Sequence, residues 1–245
     1  MTYSPGYSTA WFDAFAENVP ERFTSLEVES IARIAPAAQY PRLLDIGCGI
    51  GRVCSRLASR GYQVTGIDAS IEALQRARAA TPGGRFVGLD AKHVGRLPWA
   101  FDAAISLWNS IGFGSHDEDV ETFAGLAQVL RPGGRLMLDL YHPDWLAANE
   151  QASVVDARGA TIDRWLDEGR SCHRFKYPDG AEEDIQFNVF RPDEIAPLLE
   201  RAGLRPEAYL VLWSTDEAPS AQSPRYQVVA VREGPLSASA FQARI

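Results

Sequence analysis

At 245 residues, 46% hydrophobic and 23% charged, the chain is long enough for one well-cored α/β domain and has an ordinary globular composition. Its net charge of −8, from 24 basic and 32 acidic residues without a basic run, disfavours a nucleic-acid partner. No apolar run approaches the ~18 residues of a membrane span, and residues 1–7 lack the charged start and apolar stretch of a secretory signal. Cys48, Cys54 and Cys172 form neither a disulfide framework nor a zinc-binding spacing. The expectation is a cytoplasmic protein with no membrane partner and no metal.

The chain opens with Tyr3, Tyr7 and Trp11, aromatic residues able either to close over a ligand or to staple onto a sheet. From residue 42 to about 139 the pattern alternates strand and helix. Strands are expected at Arg42–Ile46, Gln63–Asp68, Arg85–Leu89, Phe101–Leu107 and Arg135–Asp139, each short and rich in apolar or β-branched residues. Helices are expected at 52–60, ended by Gly61, at 71–80, started by Ser70, and at 117–130, with Asp117, Glu118 and Asp119 on its positive end. Strands separated by helices imply parallel crossovers and a doubly wound sheet.

Residues 141–190 break this rhythm. Thr161–Leu166, Ser171–Tyr177 and Asp184–Phe190 read as strands, with Pro178-Asp179-Gly180 as a turn, so an antiparallel add-on is inserted after the fifth parallel strand. Trp145 and Trp165 could form an apolar pocket wall, and read first as its core. A helix at Asp193–Ala202, ended by Gly203, precedes two strands, Ala208–Ser214 and Tyr226–Arg232. A polar loop joins these without a crossover helix, so they should be antiparallel. Residues 234–245, small and polar, read as a disordered tail on a single domain of residues 1–245.

The chemistry starts at Asp45-Ile46-Gly47-Cys48-Gly49-Ile50-Gly51-Arg52. Glycines at this strand-to-helix turn let the backbone approach a nucleotide closely. The spacing Gly-x-Gly-x-Gly departs from the dinucleotide fingerprint, because Arg52 stands where the third glycine would fall. Asp45 would repel a pyrophosphate and suits a ligand carrying an ammonium and a sulfonium. A nicotinamide-dependent oxidoreductase is therefore opposed. Asp68, at the tip of the second strand and 21 residues after Gly47, can accept both hydroxyls of a ribose.

Together these stretches resemble the first and second motifs of the class I S-adenosylmethionine-dependent methyltransferases. The resemblance implies an α/β, Rossmann-like doubly wound sheet, mostly parallel with an antiparallel last strand in the order 3-2-1-4-5-7-6, plus the small antiparallel β add-on. It implies S-adenosyl-L-methionine as cofactor, held by Asp45, Gly47, Gly49, Gly51, Asp68, Ala69, Asp90, Ala91 and Leu107. Asp68 would take the ribose, and Asp90 or its neighbour the adenine amino group. The Leu130-Arg131-Pro132-Gly133-Gly134-Arg135 turn is shared across small-molecule members generally.

The acceptor side follows the fourth strand, at Trp108-Asn109-Ser110-Ile111-Gly112. This stretch is similar to the Asn-Ser-Phe-Ala/Gly of glycine and sarcosine N-methyltransferases and of amino-sugar N-methyltransferases. Asn109, Tyr141 and His142 are the catalytic candidates, although Asn109 reads equally as a loop cap and His142 as structural. Trp108, Arg174 and Tyr177 are candidate acceptor contacts. Arg170, Arg174 and Lys176 alternate with Ser171, His173, Phe175 and Tyr177, giving a basic and a partly aromatic face. That basic face is either a lid for an anionic group or a solvated face set against Glu182, Glu183 and Asp184.

The function expected is methyl transfer to a small molecule, first to an amine nitrogen. O-methylation of a small metabolite and a non-catalytic S-adenosylmethionine-binding protein are the alternatives. Oligomeric state is not legible.

Overall fold

The computed structural model describes residues 6–150, 154–155 and 159–234. Tyr3 and the expected tail, Gly234 apart, lie outside the described residues. Two helices come first, α1 (Thr9–Ala14) and α2 (Glu21–Ile34). There follow β1 (Arg42–Ile46), α3 (Arg52–Ser59), β2 (Gln63–Asp68), α4 (Ile71–Ala80), β3 (Arg85–Gly88), β4 (Phe101–Ser106), α5 (His116–Val129) and β5 (Leu130–Tyr141). The insertion holds α6 (Pro143–Ala148), β6 (Val154–Val155), β7 (Thr161–Asp167), β8 (Arg170–Lys176) and β9 (Glu182–Asn188). The chain closes with α7 (Pro192–Arg201), β10 (Leu204–Leu210) and β11 (Arg225–Arg232).

Seven strands form the main sheet in the order β10-β11-β5-β4-β1-β2-β3, and β6-β7-β8-β9 form a second, antiparallel sheet. Counting only main-sheet strands, this is the order 3-2-1-4-5-7-6. The pairs around β1, β2, β3, β4 and β5 are parallel, and β11 runs antiparallel to both its neighbours. Alternate residues of β1 bury into different cores, as its pleat requires. Leu44 and Ile46 join α5 and α7 on one face, while Leu43 joins α2, α3 and α4 on the other.

Local chemistry sets the boundaries. Ser115 and Glu118 form a reciprocal capping box that starts α5. β5 begins earlier than expected because Leu130 pairs with Phe101 and Arg135 with Ala103, so the Arg131–Gly134 turn is looped out of a continuous strand. Arg131 reaches back from it to Asp102 at 2.6 Å.

The β10 expectation is shifted. Gly203 (φ 81°) reverses the chain directly into a strand at Leu204, and Leu212 and Trp213, both left-handed, turn it away after Val211. The apolar run Leu210-Val211-Leu212-Trp213 misleads because Trp213 is buried from a turn, where its N–H donates to Gln227 Oε1. The insertion also holds a helix and a strand, α6 and β6, that the pattern does not reveal. Trp145 packs against its core, but Trp165 lies outside, 5.8 Å from the Arg174 guanidinium.

Candidate active site

β1 delivers the glycine turn to the carboxyl edge of the sheet. Gly47 (φ 68°) and Gly49 (φ 52°) are both left-handed. A Cβ on Gly47 would stand 2.2 Å from Ser110 Cβ, and one on Gly49 would stand 2.8 Å from the Phe12 ring. The turn is thus squeezed between the loop after β4 and helix α1, which only glycine permits. Gly51 faces elsewhere: it is the N-cap of α3, against Ala77 of α4.

Two carboxylates organise this turn. Asp68 Oδ2 accepts from the Gly49 N–H at 2.8 Å and Oδ1 accepts from the Ser70 N–H at 2.8 Å, leaving a lone pair on each oxygen. Burial raises its pKa against those backbone bonds. Asp45 is buried and accepts from Cys54 Sγ at 3.1 Å, and desolvation pushes its pKa up to about 7.

Beside them lies a cavity of about 360 Å³, within the range of small-ligand pockets. Asp45, Gly47, Gly49, Asp68, Ala69, Asp90, Ala91, Leu107 and Trp108 line it, along with Tyr7, Trp11 and Phe12 of the N-terminal segment. Asp90 stands at its mouth, where its Oδ1 accepts from the Lys92 N–H at 3.1 Å. Arg52 and Asp119 also form its wall and were not singled out from sequence. Arg52 pairs with Glu27 at 2.6 Å, and Glu27 in turn accepts from the Trp108 indole at 2.6 Å. Asp119 is buried, accepts from Asn188 Nδ2 at 2.6 Å, and is pushed up to about 6 by burial. Its position in the first turn of α5 signals a dipole-compatible acid and hides the inward orientation.

The three catalytic candidates do not line the cavity. Trp108 and Asn109 are consecutive left-handed residues (φ 57° and 56°), strained backbone of the kind that clusters at functional sites. Asn109 is fully buried; its Oδ1 accepts from the Tyr141 N–H at 2.8 Å and from Arg225 at 3.2 Å, and its Nδ2 has no partner. Tyr141 is sandwiched, with the Arg225 guanidinium 4.2 Å from its ring centre and Phe187 stacked at 6.1 Å. His142 is buried as the N-cap of α6: its Nδ1 accepts from the Asp144 N–H at 3.3 Å, and burial lowers its pKa.

The two add-on candidates also lie away from the cavity. Arg174 donates to both oxygens of Asp184, each at 2.7 Å, on the outer face of β8. The Tyr177 hydroxyl donates to Glu183 at 2.5 Å. No described add-on residue lines the cavity, and the add-on reaches its wall through the loop after β4. Arg170 Nη2 donates to the Gly114 carbonyl at 3.1 Å, and the Asn188 N–H donates to the Gly112 carbonyl at 2.8 Å, clamping the loop after β4. Its apolar inner face shares a core with α1 and partly buried Tyr7 and Trp11.

A family model described as a methyltransferase domain matches residues 43–134. The chain is 30% identical over 199 residues to the ubiquinone biosynthesis O-methyltransferase of Aromatoleum aromaticum, spanning 79% of this chain and 76% of that protein. It is 27% identical over 218 residues to the glycine/sarcosine N-methyltransferase of Aphanothece halophytica, spanning 82% of each. Two solved structures share the fold. An S-adenosylmethionine-dependent methyltransferase from Clostridium acetobutylicum has a TM-score of 0.75 at 15% identity, over 91% of this chain and 96% of that one. The sugar N-methyltransferase KedS8 from Streptoalloteichus has 0.72 at 21%, over 95% and 98%.

The cavity suits S-adenosylmethionine, the cofactor named for the Clostridium structure. A glycine turn without Cβ atoms, a carboxylate with spare lone pairs and a buried acid line one cavity, a lining compatible with a nucleoside that carries a cationic tail. Together with the sheet order, the chain belongs to the class I S-adenosylmethionine-dependent methyltransferases.

Proposed function

We propose that the protein methylates the nitrogen of a small-molecule amine. Bound S-adenosylmethionine supplies a methyl group activated on a sulfonium. Asp68 would hold the ribose hydroxyls, Asp90 and the Ala91 backbone the adenine edge, Asp45 the ammonium and Arg52 the carboxylate of the methionine end. Ala69 and Leu107 offer apolar walls to the base.

The observation that carries the nitrogen reading concerns imidazoles. Among the described residues lining the cavity there is no histidine, and two of the chain's four are committed elsewhere. His142 caps α6, and His173 is bonded to Ser171 at 2.9 Å. A neutral amine attacks through its own lone pair and needs no such base. Orienting two reactants supplies ~7–11 kcal/mol, whereas a general base gives ~10²–10⁴-fold. The names of two relatives, one acting on glycine and sarcosine and one on a sugar nitrogen, support the same reading.

The insertion, residues 141–190, acts in this reading as a lid over the acceptor. Its support is the clamp of Arg170 and Asn188 on the loop after β4 and the core shared with α1. A lid there would orient the acceptor and exclude water.

A second reading has its own observation. Asp119, a cavity-wall carboxyl raised to about 6, is a candidate base for a hydroxyl acceptor. Oxygen methylation is also what the ubiquinone-pathway relative performs by name. Incubation with methyl-labelled S-adenosylmethionine and paired small amines and alcohols, followed by fragmentation of the products, decides between them. Label on nitrogen is expected, and label confined to oxygen overturns the first reading.

A further inference from the structure

Among the described residues, the inner face of the add-on sheet carries a cation without a counter-charge. Arg164 is paired across the ladder with His173, so it shares a face with Ser171, His173 and Phe175. Two of the outer-face cations are neutralised, Arg174 by Asp184 and Lys176 by Asp163 at 3.0 Å, and Arg170 is held by backbone carbonyls. Among the described residues Arg164 makes no hydrogen bond or ion pair, and its Nε is buried without a partner.

Its face is otherwise largely apolar, with His173 as its polar neighbour across the ladder and Tyr7 close by. His173 is buried, and desolvation with the nearby Arg164 and Arg225 guanidiniums drops its pKa to about 3, so the ring is neutral. Tyr141 stands edge-on to it, with ring centres 5.6 Å apart. Arg225 is spent on Asp139 at 2.7 Å, and Glu183 is engaged by Tyr177. The Tyr7 hydroxyl feels both Arg164 and Arg225, while the same residue lines the cofactor cavity beside Phe113. Tyr7 therefore neighbours both the cavity and the Arg164 guanidinium.

We propose that the methyl acceptor carries a carboxylate and that Arg164 receives it, holding the reactive nitrogen toward the tips of β4 and β5. This deepens the amine reading and rests on it. A half-buried guanidinium left unpaired costs stability, and its planar fork matches a carboxylate bidentately. One uncompensated charge matches one carboxylate better than a dianionic phosphate. Tyr7 and Tyr141 hydroxyls add neutral donors at the same face.

The test uses the full chain with Arg164→Gln and Arg164→Lys. The S-adenosylhomocysteine complex is titrated with sodium acetate and with acetamide at constant ionic strength, following tryptophan fluorescence. Acetate should bind saturably and acetamide should not, and Arg164→Gln should weaken acetate by about tenfold or more. Acetate and acetamide behaving alike, or acetate binding unchanged by Arg164→Gln, overturns the proposal.

In transfer assays with amine acids and their matched amides, Arg164→Gln should raise KM for the acid by about tenfold with kcat nearly unchanged. Arg164→Lys should recover part of it. An unchanged KM overturns the proposal too. The Gln variant should melt no lower than the parent, because an unpaired charge has been removed. A fall in melting temperature with acetate binding intact would make Arg164 structural. Label found on oxygen would end the nitrogen reading while leaving the acetate result standing.

Discussion

The amide oxygen of Asn109 accepts the backbone N–H of Tyr141 at 2.8 Å, across the tips of β4 and β5. The same oxygen accepts from Arg225 of β11 at 3.2 Å, so one side chain ties three strand ends together. It does so from a left-handed backbone, next to a second left-handed residue, Trp108. The strained turn is held by the Asp139 carboxylate, which accepts from the Trp108 N–H at 3.0 Å.

Replacing Asn109 by Ala should therefore cost stability twice. An orphaned buried donor costs about 1–3 kcal/mol, and a left-handed alanine about 1–2 kcal/mol more. Asn109→Gly loses the oxygen but relieves the backbone, and should be milder than the Ala variant by about 1 kcal/mol. Urea unfolding of the three proteins measures this. Equal losses for Ala and Gly would show that the left-handed turn carries no strain.

His142 gives a sharper contrast between a structural and a catalytic role. As the N-cap of α6 its removal should cost about 0.5–2 kcal/mol, and kcat should keep its pH profile. His142→Asn, which can still cap, should recover most of the stability. A hundredfold fall in kcat for His142→Asn, in a protein that melts normally, would return His142 to the reacting groups.

These two residues show where sequence reading stops. Strand tips are legible because each ends at a recognisable apolar run, which is why Asp45, Asp68, Asp90 and Leu107 are assigned to one edge and line one cavity. Side-chain direction beyond the tip is not. Asn109 turns inward because its backbone is left-handed, which no local pattern announces. His142 was readable as a cap, since Pro143 at the first helical position and Asp144 after it mark a helix start.

In the add-on, alternation separates Arg174 from His173 without saying which face meets the core. Packing of α1 makes the His173 face the inner one, and so Arg164, absent from the sequence reading, replaces Arg174 as the cation of interest. The misplaced β10 has a similar origin. Trp213 is buried like a strand residue while sitting in a turn that Gln227 holds.

Asp68 is the residue proposed for the ribose. Both its oxygens already order the glycine turn and the start of α4, so its loss removes ribose acceptors and loosens their frame. Hydrogen bonds to a charged group contribute about 1.5–3 kcal/mol each. Asp68→Ala should weaken S-adenosylmethionine by tenfold or more in titration calorimetry while circular dichroism stays native. Asp68→Asn, keeping one acceptor, should fall between. Parent-like affinity in a folded Ala variant would put the ribose elsewhere.

Asp45, proposed for the cofactor's cationic end, should make binding pH-dependent, with a definite sign. Desolvation holds its pKa at about 7 in the folded protein, against the lowering effects of the Cys54 bond and of Arg52. In the unfolded chain an aspartate titrates near ~3.9. Between those values the folded state keeps a proton the unfolded state has lost. The stabilising contribution is thus complete below the unfolded pKa and disappears as pH rises through the folded one, so the ligand-free protein should weaken from about pH 4 to 7. Cofactor reverses the balance, because a sulfonium and an ammonium favour the ionised carboxylate and binding expels the proton. Affinity should rise by about fivefold or more between pH 6 and 7.5. Calorimetry in two buffers of different ionisation enthalpy should show release of part of a proton near pH 6.5. Asp45→Asn should flatten both effects, and S-adenosylhomocysteine, with no sulfonium charge, should show a smaller slope than S-adenosylmethionine. If the Asn variant keeps the full slope, the titrating group is not Asp45, and Asp119, raised to about 6 on the same wall, becomes the group to replace.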